Sequence, residues 1–263
     1  MRLWYQSFVD PEANAPYLER LSAYVAEIAD PGTTVEVVGL SPPDRFFGRL
    51  TELRCAVVAV DNALEAQERG FDGYLLGHFQ DPGLFEARSA CTIPIVGLGE
   101  AAMHWAVQLG RQIALVTIDD VFTAWHWEQA ERYGLRDRIA GVVSLDARVE
   151  DFAPAFAGDR EAYERLVATF GDRVRPLLAQ GAEVIVPAGG LFSLLVAHER
   201  GFTVDGAPVL NSIAVALKCA EAAVKLRELT GLEPSRGPTF ALAQPEAVAE
   251  FRAFVERGRG PAT

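Results

Sequence analysis

Short apolar runs rich in Val, Ile and Leu alternate with helix-length amphipathic stretches along this chain, and the order is repeated in its two halves. Runs of this length bounded by Gly, Pro or Asp read as buried strands, and apolar residues at helical spacing fill the stretches between them. Strands joined by helices of ten or more residues need crossover connections, so the sheets should be mainly parallel and covered on both faces. In the first half, strands are expected over residues 3–8, 33–39, 71–77 and 93–96. Helices are expected over 16–29, over a long stretch ending at 70, from about 84, and over 100–109. A Ser41-Pro42-Pro43-Asp44 turn precedes the long helix. In the second half, strands fall at 112–118, 139–145, 182–186 and 209–210, with helices at 125–133, 160–180 and 213–229. The expected fold class is therefore α/β, with two pseudo-symmetric lobes and a ligand cleft between them. The first lobe takes residues 1–98 plus 208–245 and the second takes 99–207. A C-terminal tail covers 246–263, frayed from 257.

With 263 residues the chain is long enough to bury a full core. Its net charge of −12 argues against a nucleic-acid partner, because neutralising phosphates needs clustered Lys and Arg. The apolar stretches are too short to cross a membrane, and the N-terminus enters a strand pattern without the apolar segment of a signal peptide. Cys55, Cys91 and Cys219 lie far apart with no CxxC pair. Neither a disulfide framework nor a zinc knuckle is suggested, and the expected compartment is the reducing cytoplasm. No GxGxxG or GxxxxGK[ST] pattern supports a nucleotide cofactor. Glu100 and His104 share a helix face, but two candidate ligands do not make a metal site. No cofactor and no metal are expected.

Two strand ends sit at matching places in the halves, Gly77-His78-Phe79-Gln80-Asp81-Pro82-Gly83 and Val186-Pro187-Ala188-Gly189-Gly190. Open α/β folds bind ligands at the carboxyl ends of their strands, which makes both segments candidate site loops. His78 is either a structural imidazole or a general base, since free histidine titrates at about 6.5. Gly189 and Gly190 are either a turn or a place of close backbone approach, with amides directed at a ligand oxygen. The same choice holds for the Phe79 and Gln80 amides. Glu100 either complements the start of its helix or orients His78 or a substrate N–H. Ser7 and Thr117 end strands and are candidate ligand hydrogen-bonders or caps, while Trp4 and Tyr5 are candidates for a wall against a flat ring. Trp125, His126 and Trp127 read as packing.

The first strand-end segment, together with Ile93-Pro94-Ile95-Val96-Gly97-Leu98-Gly99-Glu100-Ala101-Ala102, Ala114-Leu115-Val116-Thr117 and Ala182-Glu183-Val184-Ile185-Val186, resembles the aspartate/glutamate/hydantoin racemase superfamily. The hydantoin racemase branch is the nearest, and the likeness runs in order over roughly residues 1–230. The resemblance implies chemistry without metal or organic cofactor on small acids or cyclic imides held between two lobes. It also implies two acid–base cysteines, one per lobe, whose positions fall on His78 and Gly189 here. The resemblance to arylmalonate decarboxylases is partial and reversed, since those keep their single acid in the second lobe. The expected function is a racemase, epimerase or tautomerase type isomerase acting through an enolate with His78 as base. The alternatives are a decarboxylating lyase, a cyclic-amide hydrolase and a non-catalytic binding protein. A small-molecule substrate and a homo-oligomer are the expected partners.

Overall fold

The structure, a computed structural model, describes residues 1–43 and 46–259. Asp44 of the expected turn and the last four residues of the expected frayed end lie outside the described residues. Strand β1 (Arg2–Gln6) leads into helix α1 (Ala15–Ile28), β2 (Thr34–Val38), α2 (Arg49–Glu68) and β3 (Gly73–Leu76). Helix α3 (Leu84–Ala90), β4 (Ile95–Gly97) and α4 (Leu98–Ala106) complete the first half. The second runs through β5 (Ile113–Thr117), α5 (Val121–Arg132), β6 (Ile139–Ser144), α6 (Ala153–Phe156), α7 (Arg160–Ala179), β7 (Val184–Pro187) and α8 (Gly190–Leu195). A small hairpin, β8 (Thr203–Val204) with β9 (Ala207–Pro208), precedes α9 (Ser212–Thr230) and α10 (Pro245–Arg259).

The first sheet has the order β2-β1-β3-β4 and the second β6-β5-β7, with every pair parallel. A parallel bridge from Ile185 to Val209 extends the second sheet at the position that β4 holds in the first. The two lobes thus repeat one plan. That bridge also moves the expected lobe boundary: residues 207–210 stay at the edge of the second sheet, and the chain returns to the first only with α9. The expected strand over 209–210 is reduced to this bridge. The tail is ordered differently too, because α10 is a helix packed on α2.

Strand alternation decides what each face of the first sheet buries. Leu3, Tyr5 and Leu75 point to α1 and α9, into an apolar cluster that runs on unbroken through the second lobe. Trp4, Tyr74 and Leu76 point the other way, into a separate cluster closed by α2 and α3. In the second sheet α7 covers one face, while α4 and α5 cover the other. Capping fixes where the longest helices of that half begin. Asp159 accepts from the Ala162 amide at the start of α7, and Asn211 accepts from Ala214 at the start of α9. Among the described residues, no helix is long and apolar enough to cross a membrane.

Candidate active site between the lobes

The carboxyl ends of the central strands meet at a cavity of about 100 Å³. Ser7, His78, Phe79 and Gln80 line it from the first lobe, and Gly189 and Gly190 from the second. These residues are more than 100 positions apart in the chain and are united because β3 and β7 occupy equivalent places in the two sheets. Phe8, Phe47, Phe122 and Phe192 supply apolar walls, so the space suits a small, flat ligand. A larger groove of about 750 Å³ runs between α2, α3, α5 and α10 and shares only Gln80 with this cavity. The smaller cavity is where an imidazole, hydroxyls and backbone amides from both lobes come together.

His78 follows β3, and its ring stacks on Phe8 with centroids 4.5 Å apart and planes 18° from parallel. Its Nε2 lies 3.3 Å from Oε2 of Glu52, a first-turn residue of α2. The two side chains are only 20% and 15% exposed. A carboxylate at that distance favours the tautomer with hydrogen on Nε2 and stabilises an imidazolium once a proton is taken up.

The loop carrying His78 is tied down by Asp81. Its carboxylate accepts from the amides of Gly99 (3.0 Å) and Glu100 (2.7 Å) at the start of α4, and from the Tyr133 hydroxyl (2.6 Å) at the end of α5. The Gln129 amide reaches both Asp81 Oδ2 and the Phe79 carbonyl. Burial pushes the Asp81 carboxyl up to about 7, opposed by the Tyr133 hydroxyl and the two amides. This explains the glycines around residue 98. A Cβ on Gly97 would sit 2.6 Å from the Asp81 carboxyl carbon, so the sequence must leave that space empty. Beneath the loop, His126 meets Phe79 edge-on at 5.3 Å, and its Nδ1 lies 3.2 Å from Gln129 Oε1. Burial pushes that imidazole down to about 4.

Among the described residues, no backbone or side-chain acceptor takes the amides of Phe79, Gln80, Gly189 or Gly190. Gly189 has φ 161° and ψ 162°, an extended conformation open to any residue. A Cβ built there meets nothing within 4 Å. The imidazole of His78 therefore does not occupy the room that glycine leaves.

Four expected candidates, Trp4, Tyr5, Glu100 and Thr117, lie outside the cavity lining. Trp4 faces away from the cavity because alternation in β1 turns it towards α2, where its Nε1 donates to Gln6 Oε1 at 3.1 Å. Glu100 does not orient His78. It pairs with Arg88, which reaches it at 2.9 Å through Nη1, and the carboxylate beside His78 is Glu52. Thr117 ends β5, yet its buried Oγ1 has no hydrogen-bond partner, and it is Val116 and Ile118 that line the cavity. Tyr5 joins the first apolar cluster with its hydroxyl unpartnered. His104 uses Nδ1 on the Glu100 carbonyl at 2.9 Å. Trp125 packs on Phe122 and under the Arg49 guanidinium. None of the cysteines lines the cavity. Among the described residues, no group of three or more His, Cys, Asp or Glu is placed to hold a metal ion.

Glu52 and Tyr17 were missed by reading strand ends alone. Both lie in the first turn of a helix that follows a strand, and in a parallel α/β lobe that turn is at the ligand-facing edge. This positional signal is present in the sequence and points to both.

The model of the Asp/Glu/Hydantoin racemase family matches residues 7–220. A hydantoin racemase of Rhizobium meliloti is 27% identical over 186 residues, 70% of this chain and 72% of that protein. One of Pseudomonas sp. (strain NS671) is 24% identical over 199 residues, covering 74% and 76%. Among solved structures, the allantoin racemase from Klebsiella pneumoniae superposes with a TM-score of 0.74 at 24% identity, covering 93% of this chain and 94% of that one. At that identity the superposition speaks for the fold.

Proposed function

This chain belongs to the Asp/Glu/hydantoin racemase family, and from that premise we propose that it is an isomerase of small carbon acids that uses no organic cofactor. The observation that carries this reading is His78 at the end of β3, paired with Glu52 of α2 and lining the same cavity as Gly189 and Gly190. The substrate is a compact ring with an acidic C–H beside a carbonyl, such as a hydantoin or other cyclic imide, or a compact carboxylate. His78 takes the proton from carbon, the pair of electrons moves onto the carbonyl oxygen, and Glu52 offsets the charge of the imidazolium. The Phe79, Gln80, Gly189 and Gly190 amides supply donors for the enolate oxygen. Returning the proton to carbon completes the cycle. Ser7, at the same cavity wall, supplies a hydroxyl for orienting the ring.

A second reading is favoured by Gly189, which leaves the second lobe without a titratable side chain at the position opposite His78. One-sided proton chemistry, in tautomerisation or decarboxylation, needs no second base. Heavy-water incubation with 5-substituted hydantoins, allantoin and small 2-aryl malonates separates these outcomes. Deuterium at the α-carbon with loss of handedness identifies a racemase, and exchange with retained handedness a one-sided isomerase. Carbon dioxide release identifies a lyase, and ring opening with incorporation of solvent oxygen a hydrolase. Binding without any of these changes in the whole panel overturns the catalytic reading in favour of a binding protein.

A further inference from the structure

Tyr17 lines the cavity, and neither the strand ends nor the family resemblance points to it. It sits in the first turn of α1, is 9% exposed, and lines the cavity against the second lobe. Its ring rests near Phe156, with centroids 6.0 Å apart. A Cβ built on Gly190 would lie 2.8 Å from the Tyr17 oxygen, so the hydroxyl reaches across the lobes to the backbone of the glycine pair. Among the described residues that hydroxyl has no hydrogen-bond partner. The Tyr17 oxygen is left open at the cavity wall, where an oxygen of a ligand can accept its hydrogen.

We propose that the Tyr17 hydroxyl and the Gly189–Gly190 backbone form a subsite for a single anionic oxygen of the ligand. This rests on the reading of the cavity as a ligand site and adds to it a side chain that selects charge. The surroundings support an anion over a neutral acceptor. The hydroxyl lies beside the Gly190 backbone, and Val116, Pro187, Ala188, Leu191 and Phe192 are apolar groups lining the same cavity. In such a low-dielectric place a donor bond to a charged oxygen is stronger than one to a neutral oxygen. Burial also pushes the Tyr17 phenol well above its ordinary range, which keeps it protonated and makes it a donor instead of a base. Tyr17 therefore binds and orients charge, and leaves the proton on carbon to His78.

The test uses a matched pair of flat probes, pyrrole-2-carboxylate and pyrrole-2-carboxamide, titrated calorimetrically into the full-length protein. The wild type should prefer the carboxylate. Tyr17→Phe should weaken carboxylate binding by roughly 10-fold or more and leave carboxamide binding within about 2-fold, as expected for one hydrogen bond to a charged group. Its melting temperature should stay equal, because the change removes a hydroxyl that bonds to no group of the protein among the described residues. A second variant, Gly190→Ala, places a methyl against the hydroxyl and should produce the same selective loss. Equal affinity of both variants and the wild type for the carboxylate overturns the proposal, as does a wild type that binds neither probe. His78→Gln separates this subsite from the base: it should slow deuterium exchange by roughly 10²–10⁴-fold and keep the carboxylate preference. Loss of exchange with the preference intact would count against Tyr17 only if Tyr17→Phe also kept that preference.

Discussion

The carboxylate of Glu52 lies 3.3 Å from Nε2 of His78, joining the first turn of α2 to the loop after β3 across 26 residues of sequence. Neither side chain is fully exposed, and Phe8 holds the opposite side of the imidazole plane in place. A base held by packing on one side and by a carboxylate at its edge is restricted in rotamer before a ligand arrives. This contact gives His78 the orientation and charge balance that the expected Glu100 does not provide.

His78→Gln is expected to keep the fold and lower turnover by roughly 10²–10⁴-fold. Glu52→Gln should cause a smaller loss, because the base remains and only its orientation and charge balance suffer. Initial rates on whichever substrate shows deuterium exchange check this order. A Glu52→Gln variant more damaged than His78→Gln would remove His78 from the role of base.

The Asp81 network carries a pH signature in stability. Its folded carboxyl is raised to about 7 from an ordinary 3.8, so between those values the native state binds the extra proton and its stability falls as pH rises. His126 acts in the opposite sense. Lowered to about 4 from 6.5, it makes the native state lose stability as pH falls through that range. The two slopes offset each other in the wild type. Asp81→Asn removes only the first, so the stability of the wild type relative to this variant should fall from pH 4 to 7 by about 1.4 kcal/mol per pH unit at most. Urea denaturation at four or five pH values reads the difference, and a constant gap would show that Asp81 does not change its protonation in this range.

Gly189→Cys should fold as the wild type does, with a stability change within about 0.5 kcal/mol, since the backbone is extended and the Cβ meets no neighbour. It places a thiol in the second-lobe wall of the cavity that His78 lines from the first lobe. The expected outcome is a higher ratio of inversion to deuterium exchange on a chiral substrate, measured by chiral chromatography beside mass spectrometry. An unchanged ratio would show that residue 189 does not face the reacting carbon.

Self-association is expected through the start of α2, where Leu50 is 82% exposed and Leu53 63% exposed. Neighbouring apolar side chains at the surface of a helix are a common mark of a subunit contact. Light scattering should give a mass of at least two chains for the wild type and a smaller one for a Leu50→Asp/Leu53→Asp double variant. A monomeric wild type at micromolar concentration rejects this assembly.

The alternation of strands and helices, the repeat of the two halves and the two strand-end loops that line the cavity were legible in the linear sequence. Periodicity and breakers are local properties, so Val184–Pro187 and Gly73–Leu76 announce themselves as equivalent strands whatever surrounds them. The match of the Gly97-Leu98-Gly99 segment to a family motif was likewise visible, although its reason, the close approach of Asp81, was not. Local pattern could not say which face of β1 looks into the cavity, and so it placed Trp4 in the site when alternation sends it to α2. Nor could it pair Glu52 with His78 in preference to Glu100, because all three charges are compatible with their own helices and loops. Those choices, and the approach of Tyr17 to Gly190 over 173 residues, depend on how two sheets and their helices pack. Side-chain partnership is set by that three-dimensional packing, while the secondary-structure pattern is set by neighbours in the chain.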